Sequence, residues 1–203
     1  QTDQTESKSL VGEFKLAIPR ASDLEGFGTQ NWLREFLKNP SDKRFFGHTE
    51  LRGGSMAKWS RENIPLMTEE DIDSVTALLV DQTGRKDQPV FSREMLTRGA
   101  EVFAFGSWNG AKPCSDCHSL EHPDIPTSGG EVAAPELSGY GSESWLRGII
   151  QDPNQPEFYG NNNKQMPKFS ERLTPEEINL LVKWMRRDWF RPDETKLNQH
   201  GTD

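Results

Sequence analysis

The amino-acid sequence predicts a mainly α protein built as two tandem, related domains, and three observations lead there. DLEGFGTQNWLREFLKNPSDKRFFG, from Asp23, matches ELSGYGSESWLRGIIQDPNQPEFYG, from Glu136, at a constant shift of 113 positions, so the chain carries an internal repeat. Within both copies apolar residues recur at helical spacing: Trp32, Leu33, Phe36 and Leu37 mirror Trp145, Leu146, Ile149 and Ile150, and a proline stops each helix. Helix-start chemistry follows further on. MTEEDIDSV matches LTPEEINLL at a shift of 106, and TPEE sets Thr174 as N-cap, Pro175 at the first helical position and Glu177 at the third.

In chain order, the first repeat gives the WLREFL helix and then SMAKW, which matches QMPKF at a shift of 110 and sets Met56 against Met166. A closing helix capped by Thr68 ends it. A polar linker around VDQTGRKDQPVFS leads to SREMLTRGAEVF, a helix that Ser92 caps, in which Gly99 permits close approach of a second helix and Phe103 packs. The WLRGII helix and the closing helix INLLVKWM complete the second copy; Ile178, Leu181, Val182 and Met185 make one face of the latter. The expected organisation is therefore a first domain over 1–88, a second over 89–191, and a flexible tail over 192–203.

Composition narrows the function classes. Only 33% of the 203 residues are apolar, and the mean hydropathy is -0.80, lean for two domains that must each bury a core. Something other than side chains is expected to fill part of the interior. No apolar run approaches the roughly 20 residues that span a bilayer. A net charge of -8 with a pI near 5.1 argues against a binder of nucleic-acid phosphates and for a basic or lysine-rimmed protein partner.

The two cysteines stand in PCSDCHSL, where Cys114, Cys117 and His118 form C-x-x-C-H. That pattern reads as covalent attachment of one haem c. Two thiols add across the two vinyl groups of one haem edge, and the next residue brings its imidazole under the iron. Competing readings are a dithiol redox pair, which wants a βαβ context this sequence lacks, and a zinc site recruiting His122. In the latter, adjacent Cys117 and His118 would both have to reach one tetrahedral ion.

A second axial ligand is sought among Met166, Met185, His122 and His200. His122 lies too close to His118 to reach the opposite face, and Met185 belongs to the closing helix face as core packing. Met166 stands in NNNKQMPKF, an Asn-rich loop closed by Pro167, and a methionine on such a loop can point its sulfur inward at a metal. Met166 is the expected distal ligand, with gap-filling as the alternative.

With these residues in place, positions 92 to 188 resemble the class I cytochromes c. The resemblance implies that the opening helix crosses the closing helix of its own domain, with Gly99 at the crossing. It also implies that APEL, residues 134 to 137, is the family's proline segment, the backbone of Pro135 orienting the axial imidazole. The insert FGSWNGAKP departs from the family and alters the surface near the haem edge.

Carrying the shift of 113 back to the start sets Gln1, Gln4 and Thr5 on Cys114, Cys117 and His118, so QTDQT replaces CSDCH. The first domain is expected to be a degenerate, cytochrome c-like fold without covalent haem. Met56 then has core packing as its expected role, and His48 that of an exposed loop residue. This domain also lacks an opening helix, so Ile72, Val75 and Leu79 of its closing helix are expected to need cover from an upstream segment or a partner subunit.

Taken together, these readings lead to one-electron transfer through a His118/Met166-ligated haem c, by an electron carrier rather than an enzyme. The paired WLR helices are similar to those of bacterial quinol:cytochrome c oxidoreductase (bc-type) complexes. That resemblance implies the periplasmic side of the membrane and redox partners such as membrane-bound cytochrome b, Rieske-type or oxidase subunits. The alternatives are a haem-based sensor or gas binder, which needs a labile Met166, and an interaction module of a larger redox enzyme.

Overall fold

A computed structural model describes residues 21–125, 134–159 and 166–189. QTDQT, the residues just before Met166, His200 and the tail over 192–203 lie outside the described residues. Among those described the protein is helical and has no strand: α1 (Gln30–Lys38), α2 (Ser55–Asn63), α3 (Glu69–Thr83), α4 (Arg93–Phe105), α5 (Glu143–Gln151) and α6 (Pro175–Arg186), with short 3₁₀ turns between them. No helix among them is long and apolar enough to cross a membrane.

The caps read from the sequence are made. The Thr68 and Thr174 hydroxyls accept from the backbone N–H of Asp71 and Glu177, whose carboxylates accept in return from the cap N–H, so both closing helices start in a capping box. The Ser92 hydroxyl accepts from the Met95 N–H at the start of α4. The repeat also holds in its geometry. Thr29 and Ser142 cap α1 and α5, and the indole N–H of Trp32 donates to the Asp23 carbonyl as that of Trp145 donates to Glu136, at 3.1 and 3.3 Å. Gly26 and Gly28 take φ of 72 and 74°, Gly139 and Gly141 φ of 63 and 67°, so both WLR helices are entered through the same left-handed turns.

The pairing of helices departs from the expected one. α4 packs on α3, the closing helix of the first repeat, while α5 packs on α6. A Cβ built on Gly99 would lie 2.2 Å from the Ser74 carbonyl oxygen, so the two backbones touch there. Gly99 does sit at a helix crossing, but with α3 rather than α6. The equivalent faces of the two closing helices record the difference: Ile72 and Val75 are each 1% exposed, whereas Leu181, the counterpart of Val75, is 41% exposed. α4 therefore supplies the cover that α3 was expected to draw from outside the chain segment.

Two hydrophobic clusters result, and each draws on both halves of the sequence. One joins α1, α3 and α4 with the region after His118 through Leu37, Val75, Leu78, Ala100, Phe103 and Leu120. The other packs the two WLR helices and closing helices together through Trp32, Leu33, Leu79, Leu146, Ile178 and Met185. Residue 88 divides the repeats but not the packing. The helix ends interlock as well. Arg85, just past α3, donates to the Met185 carbonyl at 2.7 Å, and Arg186, at the end of α6, donates to the Thr83 carbonyl at 2.6 Å. Each repeat satisfies an orphan carbonyl of the other's closing helix.

Asp71 ties α3 to α4 through a 2.6 Å ion pair with Arg98. Burial raises its carboxyl, but the bonds from Thr68 and the Arg98 guanidinium outweigh that and hold it below the ordinary carboxylate range. A carboxyl lowered by folding contributes stability above its unfolded pKa, about 4, and loses it as pH falls through the folded value. Asp71→Asn is expected to lower the melting temperature at pH 7 and to flatten its decline below about pH 4. An unchanged acid slope would remove Asp71 from the account.

Candidate functional site

The segment from α4 to His118 is built from local rules. α4 ends at Gly106, whose φ of 82° turns the chain sharply, and a Cβ there would meet the Ala111 carbonyl oxygen at 2.0 Å. Cys114–Asp116 form one 3₁₀ turn, and the backbone N–H groups of Cys117 and His118 both donate to the Cys114 carbonyl, at 3.1 and 3.0 Å. That turn holds the two thiols and the imidazole within one short arc. Both cysteines are free and half-buried.

His118 is fixed by Pro135. Its Nδ1 lies 2.8 Å from the Pro135 carbonyl oxygen. A carbonyl only accepts, so Nδ1 carries the hydrogen and Nε2 keeps the lone pair a metal needs. Burial pushes the imidazole pKa down, against the opposing pull of the Pro135 carbonyl, which keeps the ring neutral at physiological pH. The Leu137 N–H donates to the Ser119 carbonyl at 2.9 Å, stitching APEL beside the motif.

The Cys114 thiol is pushed up to about 12, by burial first and then by the neighbouring Cys117 and Asp116 charges. A reactive dithiol needs the reverse, a thiol lowered toward neutrality. The zinc alternative needs convergent ligands, and among the described residues no group of three or more His, Cys, Asp or Glu side chains converges in that way. A covalent porphyrin makes neither demand. It needs two thiols whose S–H bonds add across its vinyl groups, one imidazole, and an apolar wall, which Cys114 meets in the α3–α4 cluster.

The two methionines matched by the repeat lie in different places. Met56, in the first turn of α2, packs against the same cluster as Cys114, together with Trp59 and Met67. Met166 packs against the other cluster, beside Phe169 and Leu173. Met185 is 9% exposed in that core, as its helix face predicts. Sequence reasoning missed Trp59, whose indole Nε1 is buried and has no hydrogen-bond partner among the described residues. An orphaned buried donor of this kind marks a place for an acceptor that the described residues do not supply. Haem carries carboxylates, so this donor fits it. The only sequence signal was the alignment of Trp59 with Phe169, which hid the polar atom.

No family model, curated protein or solved structure matches this chain.

Proposed function

We propose that the chain binds one covalent haem c and carries single electrons through it, as a domain or subunit of a respiratory or quinol-oxidising membrane complex on its extracytoplasmic side. The observation that carries this reading is the arrangement of C-x-x-C-H: two free thiols and a neutral imidazole within one turn, with the ring held by Pro135 so that Nε2 is the free nitrogen. In this reading the two halves are tandem cytochrome c-like repeats, the first degenerate.

Each residue has a defined part. Cys114 and Cys117 would hold the porphyrin through thioether bonds, and His118 would ligate the metal. Pro135 fixes the imidazole in the ligating tautomer and makes it a stronger donor. The apolar cluster around Phe103 and Leu120 keeps water from the ring. A methionine thioether, Met166 by the loop pattern or Met56 by the packing, would supply the second protein ligand to the iron, which would favour electron transfer over substrate chemistry. When bound, haem supplies an iron that cycles between the ferrous and ferric states. A chain of net charge -8 suits redox partners with basic docking faces, membrane-bound cytochrome b, Rieske-type or oxidase subunits among them.

Expression with a c-type maturation system is expected to give one haem per chain by intact mass and by pyridine haemochrome, and Cys117→Ser to lose covalent retention. Two haems per chain would overturn the degenerate reading of the first repeat, and carbon monoxide binding by the reduced wild-type protein at neutral pH would favour a gas sensor.

A further inference from the structure

We infer that the haem lies between the two repeats and takes its distal sulfur from Met56 of the first repeat, not from Met166 of the repeat that carries the cysteines. This inference rests on the proposed haem c site and specifies its sixth ligand.

The arm that leads to the motif is docked on the first repeat at points from Arg98 to Lys112. At its start, Gly99 meets the backbone of Ser74 and Arg98 pairs with Asp71. Past α4, the Ser107 hydroxyl donates to the Leu66 carbonyl at 3.0 Å, and the Lys112 N–H donates to the Asn63 carboxamide oxygen at 2.8 Å. Asn63 is the last residue of α2, and its own Nδ2 donates to the Trp59 carbonyl at 2.8 Å. The insert FGSWNGAKP thus clamps the cysteine turn onto the helix that bears Met56. The bonds that tie the motif to the second repeat run through the APEL segment, from His118 to Pro135 and from Leu137 to Ser119.

The packing agrees. Cys114, Met56 and Trp59 lie against one cluster, walled by Leu37 of α1, Val75 and Leu78 of α3 and Phe103 of α4. Met166 lies against the other cluster, with Ile178, Val182 and Met185 of α6 in its core. The buried Trp59 Nε1, which has no acceptor among the described residues, is one helical turn from Met56. Met67 packs on the same cluster, but the repeat aligns it with Leu173, an apolar position before a helix cap, whereas it aligns Met56 with the ligand-type methionine of QMPKF. A soft thioether opposite an imidazole completes low-spin iron and raises its potential.

The test uses the full chain matured with haem, and three variants: Met56→Ala, Met166→Ala and Met67→Leu. Met56→Ala is expected to abolish the sulfur-to-iron charge-transfer band of the ferric protein, to let the ferrous protein bind carbon monoxide, and to lower the midpoint potential. Met166→Ala and Met67→Leu are expected to leave all three readouts as in the wild type. Met56→His guards against misfolding, since it is expected to give a low-spin bis-imidazole spectrum only if position 56 reaches the iron. Loss of the band in Met166→Ala with retention in Met56→Ala, or an unaltered spectrum in Met56→His, would overturn the inference while leaving the haem c function standing. A wild-type protein without covalent haem would overturn the function itself.

Discussion

Gly99→Ala separates α3 from α4 and lowers the stability of the protein by about 3 kcal/mol or more. Two effects oppose each other at this position. In an exposed helix the change would stabilise by roughly 1 kcal/mol, because alanine restricts the unfolded backbone and favours helix. Here the added Cβ falls 2.2 Å from the Ser74 carbonyl oxygen and 2.9 Å from its carbon, and both belong to backbone that no side-chain rotation can move. The helices must part, and the apolar contacts of Val75, Leu78, Ala100 and Phe103, all nearly fully buried, loosen together. For a chain of this size the expected fall in melting temperature is about 6–12 °C. Thermal unfolding followed by circular dichroism measures it, and a melting temperature at or above that of the wild type would show that α3 and α4 do not meet there. Covalent haem yield is expected to fall in parallel, because the cysteine turn hangs from the end of α4.

The second large effect is at Arg85. Its guanidinium is bidentate on Asp87 at 2.7–2.8 Å and also donates to the carbonyls of Phe27 and Met185, at 2.8 and 2.7 Å. The two side chains are only 1% and 6% exposed. Arg85→Met strands a carboxylate away from water and leaves two carbonyls without their donor, which is expected to cost about 3–5 kcal/mol. Replacing both partners by apolar residues removes the stranded charge. The double variant Arg85→Met/Asp87→Leu is therefore expected to recover a substantial part of the loss. Urea unfolding of the two single variants and the double variant decides it: simple additivity would mean that the pair is not coupled. The Arg85 bonds join the start of α1 to the end of α6, so the effect also measures how firmly the two repeats are held together.

Neither residue announces its partner in the sequence. Gly99 reads as a close helix approach, yet the closing helices of the two repeats offer the same face, Ile72, Val75 and Leu79 in one, Ile178, Leu181 and Met185 in the other. The local pattern is degenerate between them. Arg85 stands in the polar run TGRKD, where a solvated charge is the ordinary expectation, and only folding brings Phe27 and Met185 to it. Trp59 was hidden for a related reason. An aromatic side chain reads as packing, and whether its one polar atom finds a partner depends on everything around it.

What the sequence determined by itself was local and periodic. Helices α1, α3, α4, α5 and α6 and the caps Thr68, Ser92 and Thr174 follow from residues near in sequence or fixed by the repeat, and the Pro135 hold on His118 follows from the family resemblance, whereas α2, which the repeat matches to the loop around Met166, is seen only in the structure. Helices and caps depend on backbone geometry and hydrogen bonds of short reach, so a few residues suffice to specify them. The tertiary structure alone decided that α4 covers α3 and leaves Leu181 on α6 exposed, and that Met56 rather than Met166 shares a cluster with Cys114. Hydrophobic attraction carries no direction, so two equivalent apolar faces compete equally for one helix. The choice falls to contacts distant in sequence: the backbone of Ser74 under Gly99, Asp71 facing Arg98, and Asn63 receiving Lys112.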